Sequence, residues 1–353
     1  MAQNNLASYR LVNQQISCAR SKNAGDVVAA LGAVQAQDYT SALWAIGLRL
    51  PDATETSVEL AISERKIIRT WAMRGTLHFI AAEDIRWMLE LLGPRTIAKS
   101  ARRFQQLELG EKVFSRTRKL FIRALEGNRQ LTRAAMMGLL ESAGISTTQQ
   151  RGYHILWRLA QEGLICFGAR QGKQQTFALL EEWAPSSNSL EREVALGELA
   201  RRYFFGHGPA TLQDFVWWTG LTISEAKIGL SNVCLQLLQQ VVDGVSFWMP
   251  QEPQILNSAR GAAYLLPGFD EYLLGYKDRS AVLEPRHSRK IVPGGNGMFL
   301  PTIVIEGRVV GTWKRVLKKH EAAITFVPFE PLRDAEQSAV ATAAQRYRRF
   351  LGL

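Results

Sequence analysis

Two segments of this chain repeat one order of elements: a helix, a turn, a second helix and a two-stranded hairpin. In the first segment, Thr132 is predicted to cap a helix over Arg133–Ser142, and a second helix is expected over Gln149–Glu162. A hairpin with strands Leu164–Phe167 and Gln175–Leu179 is expected to follow. This order is that of a winged helix, a module that commonly places a helix in a DNA groove.

The second copy follows the same plan about 80 residues later, a spacing longer than solenoid repeats and therefore indicative of separate modules. Its predicted parts are a helix over Leu212–Trp218 capped by Thr211, a helix over Glu225–Val233 capped by Ser224, and a hairpin with Asp243-Gly244 at its tip.

A third, divergent copy is predicted near the N-terminus, from a helix over Ser57–Glu64 and a strand over Ile67–Ile80. From about Ala259 the chain is predicted to form strands, followed by a helix over Asp334–Phe350. The expected fold class is therefore α+β, with tandem winged helices, three in number, and a strand-rich C-terminal unit that ends in a helix.

Composition suggests where these units meet. Pro94 with the basic helix after it, the polar run Ala184–Ser189, and Pro250–Pro253 are the expected boundaries. The predicted domains are 1–93 with the divergent copy, 94–184 with the first clear copy, 190–250 with the second, and 259–353.

The positive charge of the chain favours a polyanionic partner. The formal net charge is +11, and Arg86–Arg133 holds twelve Lys or Arg against four Asp or Glu. Gly307–His320 holds five Lys or Arg and no acidic residue. These runs are predicted to contact phosphates, although solvated helix faces would look the same in sequence.

Other classes of protein are disfavoured. No apolar segment is long enough to span a bilayer and Met1–Arg20 lacks the apolar core of a signal peptide, so a cytoplasmic protein associated with the nucleoid is expected. Cys18, Cys166 and Cys234 are far apart and lie in apolar stretches, which predicts reduced, buried thiols. No metal site or cofactor is predicted.

Several ordered motifs resemble the AlkZ/YcaQ family of winged-helix DNA glycosylases, and the resemblance covers nearly the whole chain. The motifs that carry it are Val34–Tyr39, Met73–His78, Leu266–Tyr272, Gly275–Arg279 and Val309–Trp313. Several motifs in the right order are much more specific than a single Gln-x-Gln.

The resemblance implies three tandem winged helices arranged as a C around a DNA-binding channel, and a catalytic pair, Gln35 and Gln37, beside the scissile nucleotide. This motif is similar to the Gln-Φ-Gln branch of the family, which is associated with crosslink and bulky-adduct repair. Two departures are the small Ala36 in the middle and Asp38 directly after the motif. If Asp38 rather than Gln37 activates water, the branch is undetermined.

The chemistry of amides limits the substrate. A carboxamide accepts no proton near neutral pH, so two glutamines cannot supply a strong general base. An N7-alkylguanine or N3-alkyladenine already carries positive charge, and its departure needs only a placed water and a stabilised oxocarbenium-like sugar. The resemblance thus implies a monofunctional glycosylase that acts as a monomer on double-stranded DNA with alkylated purines. The alternative is a non-catalytic winged-helix regulator or nucleoid protein.

Further residues are expected to support this chemistry. Asp38 and His78 are predicted to assist catalysis, although Asp38 is equally suited to capping a helix and His78 to a structural role. Alternation predicts that Arg74, Thr76 and His78 share one face of a strand. The charged cluster around Asp270 and Glu271 is expected either to contact DNA or to form structural ion pairs. The predicted DNA contacts are Arg74, Thr76, Arg95, Lys99, Arg102, Arg103, Lys277, Arg279, Arg308, Lys314 and Arg315.

Overall fold

The computed structural model describes residues 3–251, 261–318 and 321–353. The chain forms two compact units. The first combines residues 1–60 with 196–353, and the second is continuous over 61–195. The strands of the described residues form three sheets in a mixed α+β fold, as predicted at this level. Pro253, Ala259 and the end of the basic run at His320 lie outside the described residues.

The helices and strands are numbered in chain order. The helices are α1 Gln3–Asn13, α2 Ala24–Leu31, α3 Tyr39–Gly47, α4 Glu55–Ser63, α5 Ile85–Lys99, α6 Ala101–Gln106, α7 Glu111–Leu125, α8 Arg133–Ser142, α9 Arg151–Gln161, α10 Leu180–Trp183, α11 Arg192–His207, α12 Leu212–Thr219, α13 Ile223–Val233, α14 Glu271–Leu274, α15 Ser288–Ile291 and α16 Asp334–Phe350. The strands are β1 Val34–Gln35, β2 Ile67–Trp71, β3 Leu77–Ala81, β4 Leu131–Thr132, β5 Ile165–Phe167, β6 Thr176–Leu179, β7 Leu237–Val242, β8 Val245–Pro250, β9 Ala263–Leu266, β10 Thr302–Ile305, β11 Arg308–Lys318 and β12 Glu321–Pro328.

The second unit contains the first predicted helix–hairpin segment. Thr132 caps α8 by accepting a hydrogen bond from the Ala135 amide, as predicted. The following helix is shorter than expected, because Gln149 and Gln150 have φ angles of 52° and 71° and so lie in the left-handed region. The hairpin strands lie in one sheet of order β3-β2-β5-β6-β4 and pack against the buried faces of α7, α8 and α9.

The first unit contains the second segment, and its caps explain its helices. Thr211 caps α12 in a reciprocal box with Asp214, and Gly220 ends this helix with a φ of 77°. The cap predicted at Ser224 was wrong. Thr222 caps α13 instead, because its hydroxyl accepts from the Glu225 amide while the Glu225 carboxylate accepts from the Thr222 amide.

A four-stranded antiparallel sheet of order β12-β11-β10-β9 forms the C-terminal part of the first unit. β10 and β11 meet at the predicted Glu306-Gly307 turn, where both residues have positive φ angles of 49° and 80°. α16 has the predicted bounds. This helix packs closely on α3, since a Cβ at Gly47 would lie 2.3 Å from the Phe350 ring.

Pro94, the predicted boundary between the first two domains, is not at the end of a helix. Pro94 lies inside α5, and the buried residues that precede it in this helix outweigh the single hydrogen bond that a proline removes. The preceding Gly93 permits a close contact, because a Cβ there would lie 2.5 Å from the Gln161 carbonyl oxygen. The run Ala184–Ser189 is also anchored, since Asn188 exchanges backbone hydrogen bonds with Glu83 and Trp87. The division into four domains stays a prediction.

None of the helices in the described parts of the chain is both long enough and apolar enough to cross a membrane.

Candidate active site

The Gln-x-Gln motif lies in the short connection between a buried strand and a buried helix. β1 ends at Gln35 and α3 begins at Tyr39, so residues 36–38 form the whole turn. Gln35 is 9% exposed and Ala36 is fully buried, whereas Gln37 is exposed. The small residue at position 36 therefore belongs to the core, and the two amides differ in their access to solvent.

Asp38 caps α3, which was the alternative considered for it. One carboxylate oxygen accepts from the Ser41 amide at 3.2 Å and from the Thr40 hydroxyl at 3.1 Å, and the other accepts from the Ser41 hydroxyl at 2.8 Å. These bonds hold the side chain at the start of its own helix. A part for Asp38 in catalysis stays a prediction.

A buried carboxylate lies directly behind Gln35. The main-chain amide of Gln35 donates to Glu271 Oε1 at 3.1 Å, and Trp218 Nε1 donates to Glu271 Oε2 at 2.8 Å. His207 Nε2 lies 3.3 Å from the same Oε2 atom. Sequence reasoning missed this contact with the motif, because 236 residues separate Gln35 from Glu271 and no local pattern indicates the pairing.

The neighbouring Asp270 forms a buried ion pair with Arg49. Both carboxylate oxygens accept from this guanidinium at 2.9 Å, and the two side chains are almost completely buried. Arg49 also donates to the Gln14 and Ala45 carbonyls. For Asp270 the structural alternative is therefore confirmed, and the ion pair fixes the start of α14 beside the motif.

Two cations that follow Asp270 and Glu271 in the chain differ in their exposure to solvent. Lys277 is exposed, whereas Arg279 is half-buried, donates to the Leu273 carbonyl at 2.7 Å and lies 4.9 Å from the Phe299 ring centre. A DNA contact by either residue stays a prediction. Lys277 is the better placed, because its charge already faces solvent.

The expectation that Arg74, Thr76 and His78 share one face of a strand was wrong. A three-residue 3-10 turn, Met73–Gly75, separates β2 from β3, so Arg74 and Thr76 lie in a hairpin connection. Arg74 has a φ of 54°, and Gly75 follows with a φ of 77°. Two successive left-handed residues interrupt the alternation on which the prediction depended.

His78 is the member of this set that does lie in a strand. It is 1% exposed, and its Nδ1 atom lies 2.9 Å from the Thr76 carbonyl oxygen. It stands opposite Thr70 in the β2–β3 pairing. This histidine is thus held by its own hairpin in the second unit, and its part in catalysis stays a prediction.

The basic residues of α5 and α6 face solvent except for Arg86 and Arg103, which are half-buried. Arg95, Lys99 and Arg102 are exposed. Arg103 is half-buried, donates to Gln150 at 3.0 Å and approaches His154 at 3.5 Å. Burial, with a contribution from the Arg103 charge, lowers the pKa of His154. The three exposed cations keep the predicted ability to contact phosphates.

The basic residues of β11 also differ in exposure and in their hydrogen bonds. Arg308 and Lys314 are exposed. Arg315 donates to the Thr40 hydroxyl at 2.7 Å and to the Tyr347 hydroxyl. Its guanidinium therefore joins α3 and α16 within the first unit. A phosphate contact would have to compete with these bonds, so Arg315 is the weakest of the predicted DNA contacts.

The described residues contain no group of three or more His, Cys, Asp or Glu side chains that could hold a metal ion. Cys166 is buried, and burial raises the pKa of its thiol well above the usual range. Cys18 and Cys234 are half-buried, which is less than the sequence predicts.

The chain belongs to a family of DNA glycosylases. The matching family model is described as DNA glycosylase AlkZ-like, and it spans residues 28–350, which include the motif, both helix–hairpin segments and the C-terminal sheet. The resemblance read from the motifs is thereby confirmed.

One relative has a described activity. The interstrand DNA cross-link repair glycosylase of Streptomyces sahachiroi is 28% identical over 369 residues, which cover 98% of this chain and 95% of the relative. The solved structure of Streptomyces sahachiroi DNA glycosylase AlkZ matches with a TM-score of 0.84 at 24% identity, over 100% of this chain and 97% of that one. This structural likeness extends the shared fold over the full chain.

Proposed function

We propose that this protein is a monofunctional glycosylase that hydrolyses the N-glycosidic bond of cationic alkylated purines in double-stranded DNA. Its substrates are N7-alkylguanine and N3-alkyladenine, and its product is an abasic site. In this proposal it acts as a cytoplasmic monomer. It uses no cofactor, because hydrolysis requires only water. Segments 131–180 and 210–249 are winged helices in this proposal, and residues 57–80 belong to a divergent third.

Gln35 and Gln37 place the hydrolytic water. Neutral amides suffice because the alkylated base leaves without protonation, so the remaining requirements are orientation of water and stabilisation of positive charge on the sugar. The observation that carries this assignment is the position of the motif. Gln35 is the last residue of β1, Ala36 is fully buried, and Gln37 is exposed directly after it. A side chain on such a rigid connection loses little entropy when it orients a water.

The test uses duplex DNA with a single N7-methylguanine. Purified protein is mixed in excess with the duplex, and abasic sites are then cleaved with alkali and counted on a gel. We expect the wild-type protein to release the base, and Gln35→Ala and Gln37→Ala to lose most of the rate while still binding DNA. Gln337→Ala is the matched control, since Gln337 is exposed on α16. Specific DNA binding without base release would overturn the proposal in favour of a regulator.

We propose that the substrate range extends to bulky adducts and interstrand crosslinks. Support comes from the Gln-x-Gln form of the motif and from the relative described as a cross-link repair glycosylase. A panel of duplexes from N7-methylguanine to a crosslinked pair measures this range directly. Release of methyl but no larger adducts would confine the enzyme to small lesions.

The exposed cations Lys99, Arg102 and Lys314 are proposed to contact DNA phosphates. Each contact releases about one counterion, so Arg102→Ala should lower the slope of log affinity against log salt by about one. Arg315→Ala is the matched control, because the protein already engages this guanidinium. Equal slopes for wild type and Arg102→Ala would remove α6 from the DNA contacts.

A further inference from the structure

A buried carboxylate connects the Gln-x-Gln motif to the interior of the first unit. Glu271 is 2% exposed, and its two oxygens serve different partners. Oε1 accepts from the Gln35 main-chain amide, and Oε2 accepts from the Trp218 indole. The motif strand is therefore joined through one side chain to α12.

This geometry suits a carboxylate better than an isosteric amide. Both oxygens accept a hydrogen bond from an N–H group, and only a deprotonated carboxylate offers two acceptors and no donor. A glutamine in this place would turn its NH₂ group toward either the Gln35 amide or the Trp218 indole. Burial of a charge is costly unless hydrogen bonds compensate for the lost water. Here each carboxylate oxygen accepts one N–H bond, which offsets that cost.

The backbone that carries Glu271 is itself fixed. Asp270 caps α14 by accepting from the Tyr272 amide, and the same carboxylate pairs with Arg49 through two bonds. Glu271 is the first residue of that helix. The main chain of Glu271 is thus fixed through the Arg49–Asp270 ion pair, and its carboxylate is fixed by the bond from Trp218.

We propose that Glu271 is a positioning residue for base excision. By holding the peptide plane before Gln35, it sets the direction of the Gln35 side chain and the path of the turn to Gln37. This inference rests on the proposed function, in which these two amides orient water. A displacement of about 1 Å in such a group costs on the order of a hundredfold in rate.

The experiment compares three variants of the full chain. Glu271→Gln removes one acceptor, and Glu271→Asp keeps the charge but withdraws it from Gln35. Tyr272→Phe is the matched control, because Tyr272 is the next residue, is fully buried, and donates to the Gly307 carbonyl at 2.7 Å without touching the motif. For each folded variant we would measure the single-turnover excision of N7-methylguanine, the affinity for abasic DNA, and deuterium uptake at the Gln35 amide.

We expect both Glu271 variants to lose on the order of a hundredfold in rate. Their DNA affinity should be unchanged, and deuterium should enter the Gln35 amide faster. Tyr272→Phe should be less stable but keep the wild-type rate and exchange at Gln35. If Glu271→Gln fails to fold, Glu271→Asp supplies the same readouts with the charge retained.

Two results would overturn the proposal while leaving the proposed function intact. One is a folded Glu271 variant that excises at the wild-type rate while Gln35→Ala and Gln37→Ala do not. The other is an equal loss in Tyr272→Phe, which would assign the effect to general destabilisation. Full activity of Gln35→Ala and Gln37→Ala would instead refute the catalytic role of the amides, and the positioning role with it.

Discussion

The two helix–hairpin segments share an order of elements, but their hairpins lie in opposite environments. In the first segment every residue of β5 and β6 is buried. In the second, β7 and β8 form a two-stranded sheet in which Val241 is 63% exposed and Val245 is 46% exposed. The first hairpin contributes to the core of its unit, whereas the second presents one surface to solvent.

The same local order of elements can therefore present different surfaces, because the neighbours of each hairpin decide which of its residues are exposed. β5 pairs with β2 as well as β6, and Phe177 of β6 packs against Phe167 and Trp71 at ring distances of 4.7 and 6.4 Å. The strands of this hairpin are thus enclosed in a sheet, whereas its tip at residues 171–174 is exposed. In the second hairpin the exposure extends from the tip at Asp243-Gly244 into the strands themselves.

The largest expected effect tests the buried hairpin. Phe177→Ala should lower the free energy of unfolding by about 3–5 kcal/mol, because it leaves a cavity among packed aromatic rings. Denaturant unfolding measures this loss. A loss below about 1 kcal/mol would show that the hairpin is not part of the core.

A smaller effect tests the ion pair that joins the helices of the first segment. Burial raises the pKa of Glu162, but hydrogen bonds from Arg118 and Arg158 lower it by more, so its net pKa is below the usual range. Glu162→Gln should cost about 1–2 kcal/mol at neutral pH.

The sign of the pH dependence follows from that lowered pKa. The stabilisation by Glu162 is complete above the ordinary carboxyl pKa of about 4.3 and is lost as the pH falls through the lower value of the folded protein. The difference in melting temperature between wild type and Glu162→Gln should therefore be constant near neutrality and shrink below about pH 4. A difference that grows on acidification would contradict the ion pair.

The helix caps allow a direct comparison of the two segments. Thr132→Ala should cost about 1 kcal/mol, since one side-chain bond to the Ala135 amide is lost. Thr211→Ala should cost more, up to about 2 kcal/mol, because the Thr211 hydroxyl accepts from the Asp214 amide and also donates to the Asp214 carboxylate, and both bonds are lost. Thermal unfolding of the two variants in parallel tests the order, and a larger loss at Thr132 would reverse it.

The smallest expected effect concerns the exposed hairpin. Val241→Lys should change the stability by less than about 0.5 kcal/mol, since the side chain already faces solvent. Calorimetry of the variant checks this. A loss comparable to that of Phe177→Ala would mean that the second hairpin is covered, and the contrast between the two hairpins would then fail.

Local signals predicted much of the fold. Capping threonines at 132 and 211, the Asp243-Gly244 and Glu306-Gly307 turns, and the bounds of α16 all follow from nearby residues. Errors occurred where tertiary packing overrode a local rule. Pro94 lies within α5 because packing partners that are distant in sequence, such as Gln161 against Gly93, hold this helix in place.

The residues of the candidate site were predictable from the sequence, but the buried contacts that hold them in place were not. Gln35 and Gln37 were found through the resemblance, and the capping alternative for Asp38 was visible from its place before a helix. The Arg74 turn was missed because alternation cannot reveal two left-handed residues in succession. Contacts such as Glu271 with Gln35 depend on chain segments that no local pattern brings together.

The discontinuous make-up of the first unit has a consequence for biosynthesis. During translation, Glu271 emerges from the ribosome 236 residues after Gln35. At typical elongation rates this interval lasts roughly 10–50 seconds. The continuous second unit is complete well before then, so the nascent chain passes through a stage in which Gln35 lacks its anchor. We expect ribosome-bound chains to become competent for base removal only after Glu271 has emerged.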